Sequence, residues 1–169
     1  FRELYELISN NGMAFQAISC AYNITIDERE ALEDEAREYF QDNYTYIDYS
    51  GFTGLEPDPA NPGGLTDLPR SEQPFYFPVR LIEPIQGNEA AIDFDLYSSA
   101  SRAETIEAAL TNWKPALTPR LKLVQETDPS AYSVILMHPG IPVSTDPGRT
   151  PKDLATLVVR IPDLLHIST

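Results

Sequence analysis

The residues from Phe75 to Val124 constrain the fold more than any other part of this 169-residue chain. They follow the order strand, tight turn, strand, capped helix and returning strand. Ser101 stands three residues before Glu104, which is the spacing of a helix capping box, and an apolar stripe at helical spacing follows it. Antiparallel strands around a packed helix predict an α+β fold with a concave sheet.

The strand and helix predictions rest on hydrophobic periodicity and on proline positions. Pro78 cannot donate a hydrogen bond to a strand ladder, so it predicts an edge position or a bulge in the strand that begins at Phe75. The further predicted strands are Tyr44 to Ile47, Ala90 to Leu96, Leu117 to Val124, Ala131 to Met137 and Leu154 to Ile161. The buried helix stripe is predicted to contain Ile106, Ala109, Leu110 and Trp113. Residues 51–74 carry five prolines and four glycines without any period, which predicts a surface loop or lid.

The N-terminus has the spacing of a helical seam. Its residues at alternating steps of three and four are Phe1, Leu4, Ile8, Asn11, Phe15 and Ile18. These are heptad a and d positions. Two interpretations stay open: a helix that lies on its own domain, or the end of a stalk helix that pairs with a second subunit. A second helix should begin at Thr25 or Asp27 and end near Asn43.

Charge and motif content exclude several functions. The net charge of −14 repels phosphate backbones and anionic membrane surfaces, so we expect no nucleic-acid partner. A single cysteine, Cys20, allows no intrachain disulfide. The sequence contains no Gly-x-Ser-x-Gly elbow, Walker loop or His-Glu-x-x-His motif, and its two histidines are far apart. We therefore expect no enzyme activity, no cofactor and no metal.

Several segments together resemble one family. They are FYFPVRLIEPIQGNEAAIDFDLYSSASRAETIEAAL, then LTPRLKLVQET, then VRIPDLL. They are similar to the CHASE domain, the sensor of membrane histidine kinases, nucleotide cyclases and phosphodiesterases. The resemblance implies a stalk helix at residues 1–22, a membrane-distal PAS-like module at 23–128, and a membrane-proximal PAS-like module with an exit segment at 129–169.

This resemblance also implies a function. A CHASE domain would lie on the extracellular or periplasmic side, flanked by transmembrane helices, and would dimerise through its N-terminal helix. A small molecule would bind the distal module and bias the stalk. The alternative is an extracellular protein-interaction module without a small-molecule ligand.

Six residues are candidates for ligand contact. The resemblance implies that Thr118 lines the pocket, with Arg120 beside it, and that Asp95 matches the family aspartate. From the residues alone, Asp93 shares a strand face with Asp95, and either could accept hydrogen bonds from a ligand amine. For Asp95 we favour a bracing role through backbone amides.

The last two candidates, Tyr76 and Arg80, should point away from the row of apolar residues on the Phe75 strand. There they could stack on and pair with a planar anionic ligand.

Overall fold

The computed structural model describes residues 1–10, 15–128, 130–140 and 153–165. In these ranges it forms four α-helices, nine β-strands and two 3₁₀ turns. The helices are α1 (Arg2–Ser9), α2 (Ile26–Asn43), α3 (Ala100–Asn112) and α4 (Ile161–Leu165). The strands are β1 (Ala17–Ala21), β2 (Ile24–Thr25), β3 (Thr53–Pro57), β4 (Leu65–Pro69), β5 (Phe75–Tyr76), β6 (Val79–Glu83), β7 (Ala116–Leu117), β8 (Ser133–Pro139) and β9 (Leu154–Arg160). The predicted α+β class is confirmed.

A five-stranded antiparallel sheet is the centre of the fold, with strand order β6-β1-β9-β8-β7. Buried and more exposed residues alternate along β8, as expected for a strand with one face on the core. The strands predicted at Ala131 to Met137 and Leu154 to Ile161 are confirmed as β8 and β9. Two further pairs, β2 with β5 and β3 with β4, form small separate sheets.

One hydrophobic core joins the sheet to α2 and α3. The side chains of Ile135 and Val158 from the sheet, Phe40 from α2, and Ile106 and Ala109 from α3 are at most 7% exposed. Complete burial of a side chain such as Ile106 stabilises the fold by about 1.5–3 kcal/mol. The core therefore fixes both helices on the sheet.

Helix α2 begins and ends where the sequence predicts. Thr25 precedes the helix, and Glu28 Oε2 accepts hydrogen bonds from the Thr25 backbone N–H and from its hydroxyl, each at 2.9 Å. Ala36 and Phe40 form the buried stripe. Local capping and spacing were sufficient to predict this element because both depend on residues within one or two turns.

The predicted helix over residues 1–22 is wrong beyond its first turns. Helix α1 ends at Ser9, and Ala17–Ala21 form strand β1. This strand has hydrogen-bonded neighbours on both sides, β6 and β9, so its backbone groups are paired within the sheet. The heptad residues Phe15 and Ile18 therefore lie outside any helix, and Asn11 lies outside the described residues.

The loop predicted at residues 51–74 contains a β-hairpin. Strands β3 and β4 pair from Thr53 opposite Pro69 to Pro57 opposite Leu65. Both prolines are terminal strand residues, where a missing N–H costs little. Gly63 takes a φ of +87° in the connecting turn, a conformation that favours glycine.

The strand predicted at Ala90 to Leu96 is also wrong. Two 3₁₀ turns, Glu89–Ala91 and Leu96–Ser98, flank the segment. Between them, Asp93 has a φ of +54°, which an extended strand does not allow. Phe94 and Asp95 make only single bridges, to Thr53 and Pro78.

Four shorter corrections concern neighbouring elements. The strand predicted at Leu117 to Val124 is reduced to β7 and an isolated bridge between Leu121 and Ser133. Pro78, where an edge position or a bulge was predicted, divides the predicted Phe75 strand into β5 and β6. Residues 44–47 form a turn instead of a strand, in which Ile47 N–H donates to the Tyr44 carbonyl. Trp113 was predicted to be buried but is 57% exposed, since it terminates α3 with a φ of +53°.

Candidate functional site

The described chain contains a cleft of about 320 Å³ between α2, β6 and the N-terminal residue. We call it the aromatic cleft. Its aromatic lining residues are Phe1, Tyr39, Phe40 and Tyr44. Its charged lining residues are Glu35, Arg80, Glu83 and Asp93. An apolar cleft with a few polar groups is the usual form of a small-molecule site.

The end of α2 supplies the aromatic wall. Phe40 is the buried residue of the wall, and the centre of its ring lies 5.3 Å from that of Tyr39 and 6.0 Å from that of Tyr44. Behind it, the ring of Tyr49 stacks on Phe40 with 5.6 Å between centres. These contacts hold Tyr39 and Tyr44 as partly exposed faces against which a planar or apolar group could pack.

Asp93 forms the polar end of the cleft. Its side chain is 1% exposed. Its Oδ2 accepts hydrogen bonds from Arg80 Nη1 at 2.6 Å and from the Tyr49 hydroxyl at 2.5 Å. The other carboxylate oxygen, Oδ1, is buried and has no hydrogen-bond partner among the described residues. Arg80 is held in turn by the Leu32 carbonyl, to which its Nη2 donates at 3.3 Å.

Burial raises the pKa values of both Asp93 and Tyr49. Burial raises the pKa of Asp93, and the positive charge of Arg80 opposes this rise. Burial, followed by the neighbouring negative charge of Asp93, raises the pKa of Tyr49 as well. Tyr49 is consequently a neutral hydrogen-bond donor at physiological pH, and Asp93 Oδ1 is a buried acceptor without a donor among the described residues.

Two of the six predicted site residues, Asp93 and Arg80, meet in the aromatic cleft. Asp95 does not line it. Its Oδ2 accepts from Arg70 Nε at 2.8 Å, and its Oδ1 accepts from the backbone N–H groups of Phe77 and Tyr97 at 2.8 and 3.0 Å. Asp95 therefore connects the β3–β4 hairpin, through Arg70, to the start of a 3₁₀ turn.

Tyr76 lies in a separate small core with Ile24 and Phe52. Its side chain is completely buried, and its hydroxyl accepts hydrogen bonds from Arg29 Nη1 at 3.2 Å and from Gln73 N–H at 2.8 Å. The prediction that Tyr76 and Arg80 together face a planar ligand is wrong, because burial removes Tyr76 from any exposed surface.

Thr118 and Arg120 lie at the other edge of the central sheet. The Thr118 hydroxyl accepts the N–H of Ile135 at 2.9 Å, and the side chain is buried. Arg120 is exposed, with its guanidinium carbon 4.9 Å from the centre of the Tyr132 ring. Neither residue lines the aromatic cleft.

Sequence reasoning missed the aromatic residues of the cleft. The available signal was their density, since residues 39–49 include Tyr39, Phe40, Tyr44, Tyr46 and Tyr49. Because Tyr44 to Ile47 was predicted to be a strand, Tyr44 was not recognised as a lining residue of a cleft. Phe1 gave no signal at all, because its contact with the cleft depends on where α1 packs.

The described ranges contain neither a cluster of metal ligands nor a membrane-spanning helix. No set of three or more histidine, cysteine, aspartate or glutamate side chains there is placed to hold a metal ion. No helix within those ranges has the length and apolar character needed to cross a membrane.

Comparisons with known proteins identify the family of this chain. No curated protein matches the chain. The family model of the CHASE domain matches residues 1–168, which is nearly the whole sequence. The chain therefore belongs to the CHASE domain family, whose members are sensor domains of signalling receptors on the extracellular or periplasmic side.

Proposed function

We propose that this chain is the ligand-sensing domain of a transmembrane signalling receptor, and that the aromatic cleft binds a small organic molecule carrying an N–H or ammonium donor. The observation that carries the proposal is Asp93 Oδ1. This buried carboxylate oxygen has no donor in the part of the chain that the structure describes, and it belongs to a residue that lines the aromatic cleft. A buried acceptor that lacks a donor costs free energy, and a ligand that supplies one recovers it.

The charges around the cleft favour a cation over an anion. Among its described lining residues, Asp93, Glu35 and Glu83 are acidic and Arg80 alone is cationic. Arg80 pairs with Asp93, and Arg2 pairs with Glu83, so the lining itself keeps an excess of negative charge. The net charge of −14 adds a long-range field that attracts cations. An alkylamine that carries an aromatic ring fits both the walls and the charge, because its ring would pack on Tyr39 and Tyr44 while its ammonium group donates to Asp93.

Signalling requires that the ligand bind two arrangements of the receptor with different affinity. Phe1 precedes α1 and lines the cleft, so occupancy of the cleft acts directly on the N-terminal helix. The exposed apolar residues Leu4 and Leu7 of α1 support a dimer through this helix. We propose that ligand binding shifts the receptor toward one of the two arrangements, and that flanking transmembrane helices transmit this shift to an output domain such as a kinase, cyclase or phosphodiesterase.

We propose a PAS-like module whose bounds differ from those expected for the distal and proximal modules. The cleft residues other than Phe1 fall within residues 23–128, which agrees with ligand binding in the distal module. The central sheet, however, combines strands from residues 1–22, 23–128 and 129–169. The distal module would therefore include β1, β8 and β9 in addition to residues 23–128.

Calorimetric titration with 2-phenylethylamine tests the proposal, with 2-phenylethanol as the neutral comparison. The amine should bind more tightly than the alcohol. Asp93→Asn should weaken amine binding by about tenfold or more, since charge-assisted hydrogen bonds contribute about 1.5–3 kcal/mol. Tyr39→Ala should weaken both ligands several-fold.

Tyr46→Ala is the matched control, because Tyr46 is 64% exposed and does not line the aromatic cleft. Circular dichroism would show that each variant is folded. Equal affinity for the amine and the alcohol, or an Asp93→Asn variant with unchanged amine affinity, would contradict the assigned site.

The alternative function, an interaction module without a ligand, has one observation in its favour. Leu117 and Leu136 face each other across β7 and β8 and are 58% and 36% exposed. Such a pair at a sheet edge can bind another chain. If this alternative holds, no amine should give a heat of binding in calorimetry. Leu117→Ser should then abolish self-association measured by sedimentation velocity.

A further inference from the structure

Arg102 is a buried cation in the first turn of α3. The residue is 4% exposed. Its Nη2 donates to the Lys122 carbonyl at 3.1 Å, and its guanidinium carbon lies 5.1 Å from the centre of the Phe94 ring. Its Nε is buried and has no hydrogen-bond partner in the part of the chain that the structure describes. Within the same ranges no carboxylate lies within ion-pair distance of Arg102.

The surroundings of Arg102 form a groove of about 470 Å³ between the β3–β4 hairpin and residues 121–124. We call it the Arg102 groove. Ser99 and Arg102 line one side, and Leu55, Leu65 and Leu121 supply apolar surface. The groove is distinct from the aromatic cleft, with which it shares no lining residue.

Both the N-terminus of α3 and the side chain of Arg102 favour an anion in the Arg102 groove. Helix α3 has 13 residues, and the side chain of Ser99 at its N-cap accepts no capping hydrogen bond. Helix N-termini attract negative charge through their free N–H groups and the helix dipole. A buried guanidinium without a hydrogen-bonded anion is unfavourable, and burial lowers the pKa of Arg102 to about 10.

We propose that the Arg102 groove binds a small organic carboxylate. The carboxylate accepts from Arg102 Nε–H, and its apolar body packs on Leu65 and Leu121. Asp67 also lines the groove and carries the opposite charge to Arg102. A second negative charge on the ligand increases its attraction to Arg102 and its repulsion from Asp67 alike. The apolar contacts with Leu65 and Leu121 therefore favour an organic carboxylate over sulfate or hydrogen phosphate.

Nuclear magnetic resonance of the ¹⁵N-labelled domain tests this inference, with hexanoate as the probe. The Arg102 Nε–H resonance should move in a saturable way with hexanoate. It should not move with hexanol, which has the same apolar body without the charge. Sulfate should bind more weakly than hexanoate.

Two substitutions at an exposed position test the site without disturbing the core. Leu65 is 59% exposed and lines the groove. Both substitutions remove the same apolar contact, so the difference between them reports charge: Leu65→Glu should bind hexanoate about fivefold more weakly than Leu65→Lys. Arg102→Gln should abolish binding, while the matched control Arg120→Gln, a substitution of an exposed arginine outside the groove, should leave it unchanged.

Several results would overturn the inference. They are an Arg102 Nε–H resonance that does not respond to hexanoate, an equal response to hexanol, tighter binding of sulfate, and hexanoate affinity that is the same in Leu65→Glu and Leu65→Lys. The two Leu65 variants keep the test decisive if Arg102→Gln does not fold. The inference does not depend on the aromatic cleft, so failure at either site leaves the other intact.

Discussion

The substitution Arg80→Gln tests the electrostatic organisation of the aromatic cleft. It removes the cation next to Asp93 and leaves a buried carboxylate with only the Tyr49 hydroxyl as donor. Opposite charges about 4 Å apart interact by about 4 kcal/mol at an effective dielectric constant of about 20. Removal of one partner of a buried pair costs about 3–5 kcal/mol, because the remaining charge stays uncompensated.

We expect the free energy of unfolding to fall by about 3 kcal/mol at pH 7, at the lower end of that range. Arg80 retains 12% exposure of its side chain, so water already screens part of the interaction. The measurement is urea unfolding followed by circular dichroism. The matched control is Arg37→Gln, since the Arg37–Asp34 pair is 50% and 63% exposed and should contribute less than about 1 kcal/mol.

The decrease in the free energy of unfolding caused by Arg80→Gln should also depend on pH. Without Arg80, the pKa of Asp93, already raised by burial, rises further above its unfolded value. Between the unfolded and folded pKa values the native state binds more protons than the unfolded state, so stability decreases as pH rises through this window. The loss caused by Arg80→Gln should therefore be smaller at pH 4.5 than at pH 7.

A double variant completes the test. Asp93→Asn removes the charge that Arg80→Gln leaves unpaired, so Arg80→Gln/Asp93→Asn should be more stable at pH 7 than Arg80→Gln alone. A loss below about 1 kcal/mol at pH 7, or one that is equal at both pH values, would refute the argument that burial governs this pair.

Three further predictions concern the scaffold. Thr25→Ala should lower the free energy of unfolding by about 1 kcal/mol in urea denaturation, because it removes the hydroxyl half of the α2 capping box; no change would mean that the box contributes nothing. Ile106→Ala should cost about 2–5 kcal/mol by the same assay, since it opens a cavity at a completely buried position, and a loss below about 1 kcal/mol would contradict the described packing. The Glu126 hydrogen bonds with Arg160 lower the pKa of Glu126, so its contribution is present above the unfolded pKa and is lost as pH falls through the folded value. Glu126→Gln should therefore show a smaller loss of stability between pH 6 and pH 3 than the unsubstituted chain, and parallel curves would contradict that assignment.

The helices were predictable to different extents because their signals differ in range. The capping box at Thr25 and the stripe of Ala36 and Phe40 lie within a few turns of each other, and α2 agrees with both. The heptad-like spacing after Phe1 is equally local, but residues 17–21 gain hydrogen-bonded neighbours from β6 and β9 as a strand. Tertiary pairing prevailed over the helical pattern there.

Irregular segments were harder to predict because their conformations depend on remote contacts. The β3–β4 hairpin is anchored by Arg70, which binds Glu56 within the hairpin and Asp95 outside it. Residues 90–96 alternate like a strand, yet the positive φ of Asp93 points its carboxylate toward Arg80. No period in the sequence encodes such a turn.

The sequence by itself determined the α+β class, the capped helix α2, the two long strands of the central sheet and membership of the CHASE family. The tertiary structure alone decided which charged groups meet. Asp93 is 13 residues from Arg80 and 44 residues from Tyr49 in the chain, and the three meet only in the folded chain. The reason is physical. Helix caps and strand alternation depend on residues that are close in sequence. The raised pKa of Asp93 and its unpaired oxygen depend on burial, which only segments distant in sequence can provide.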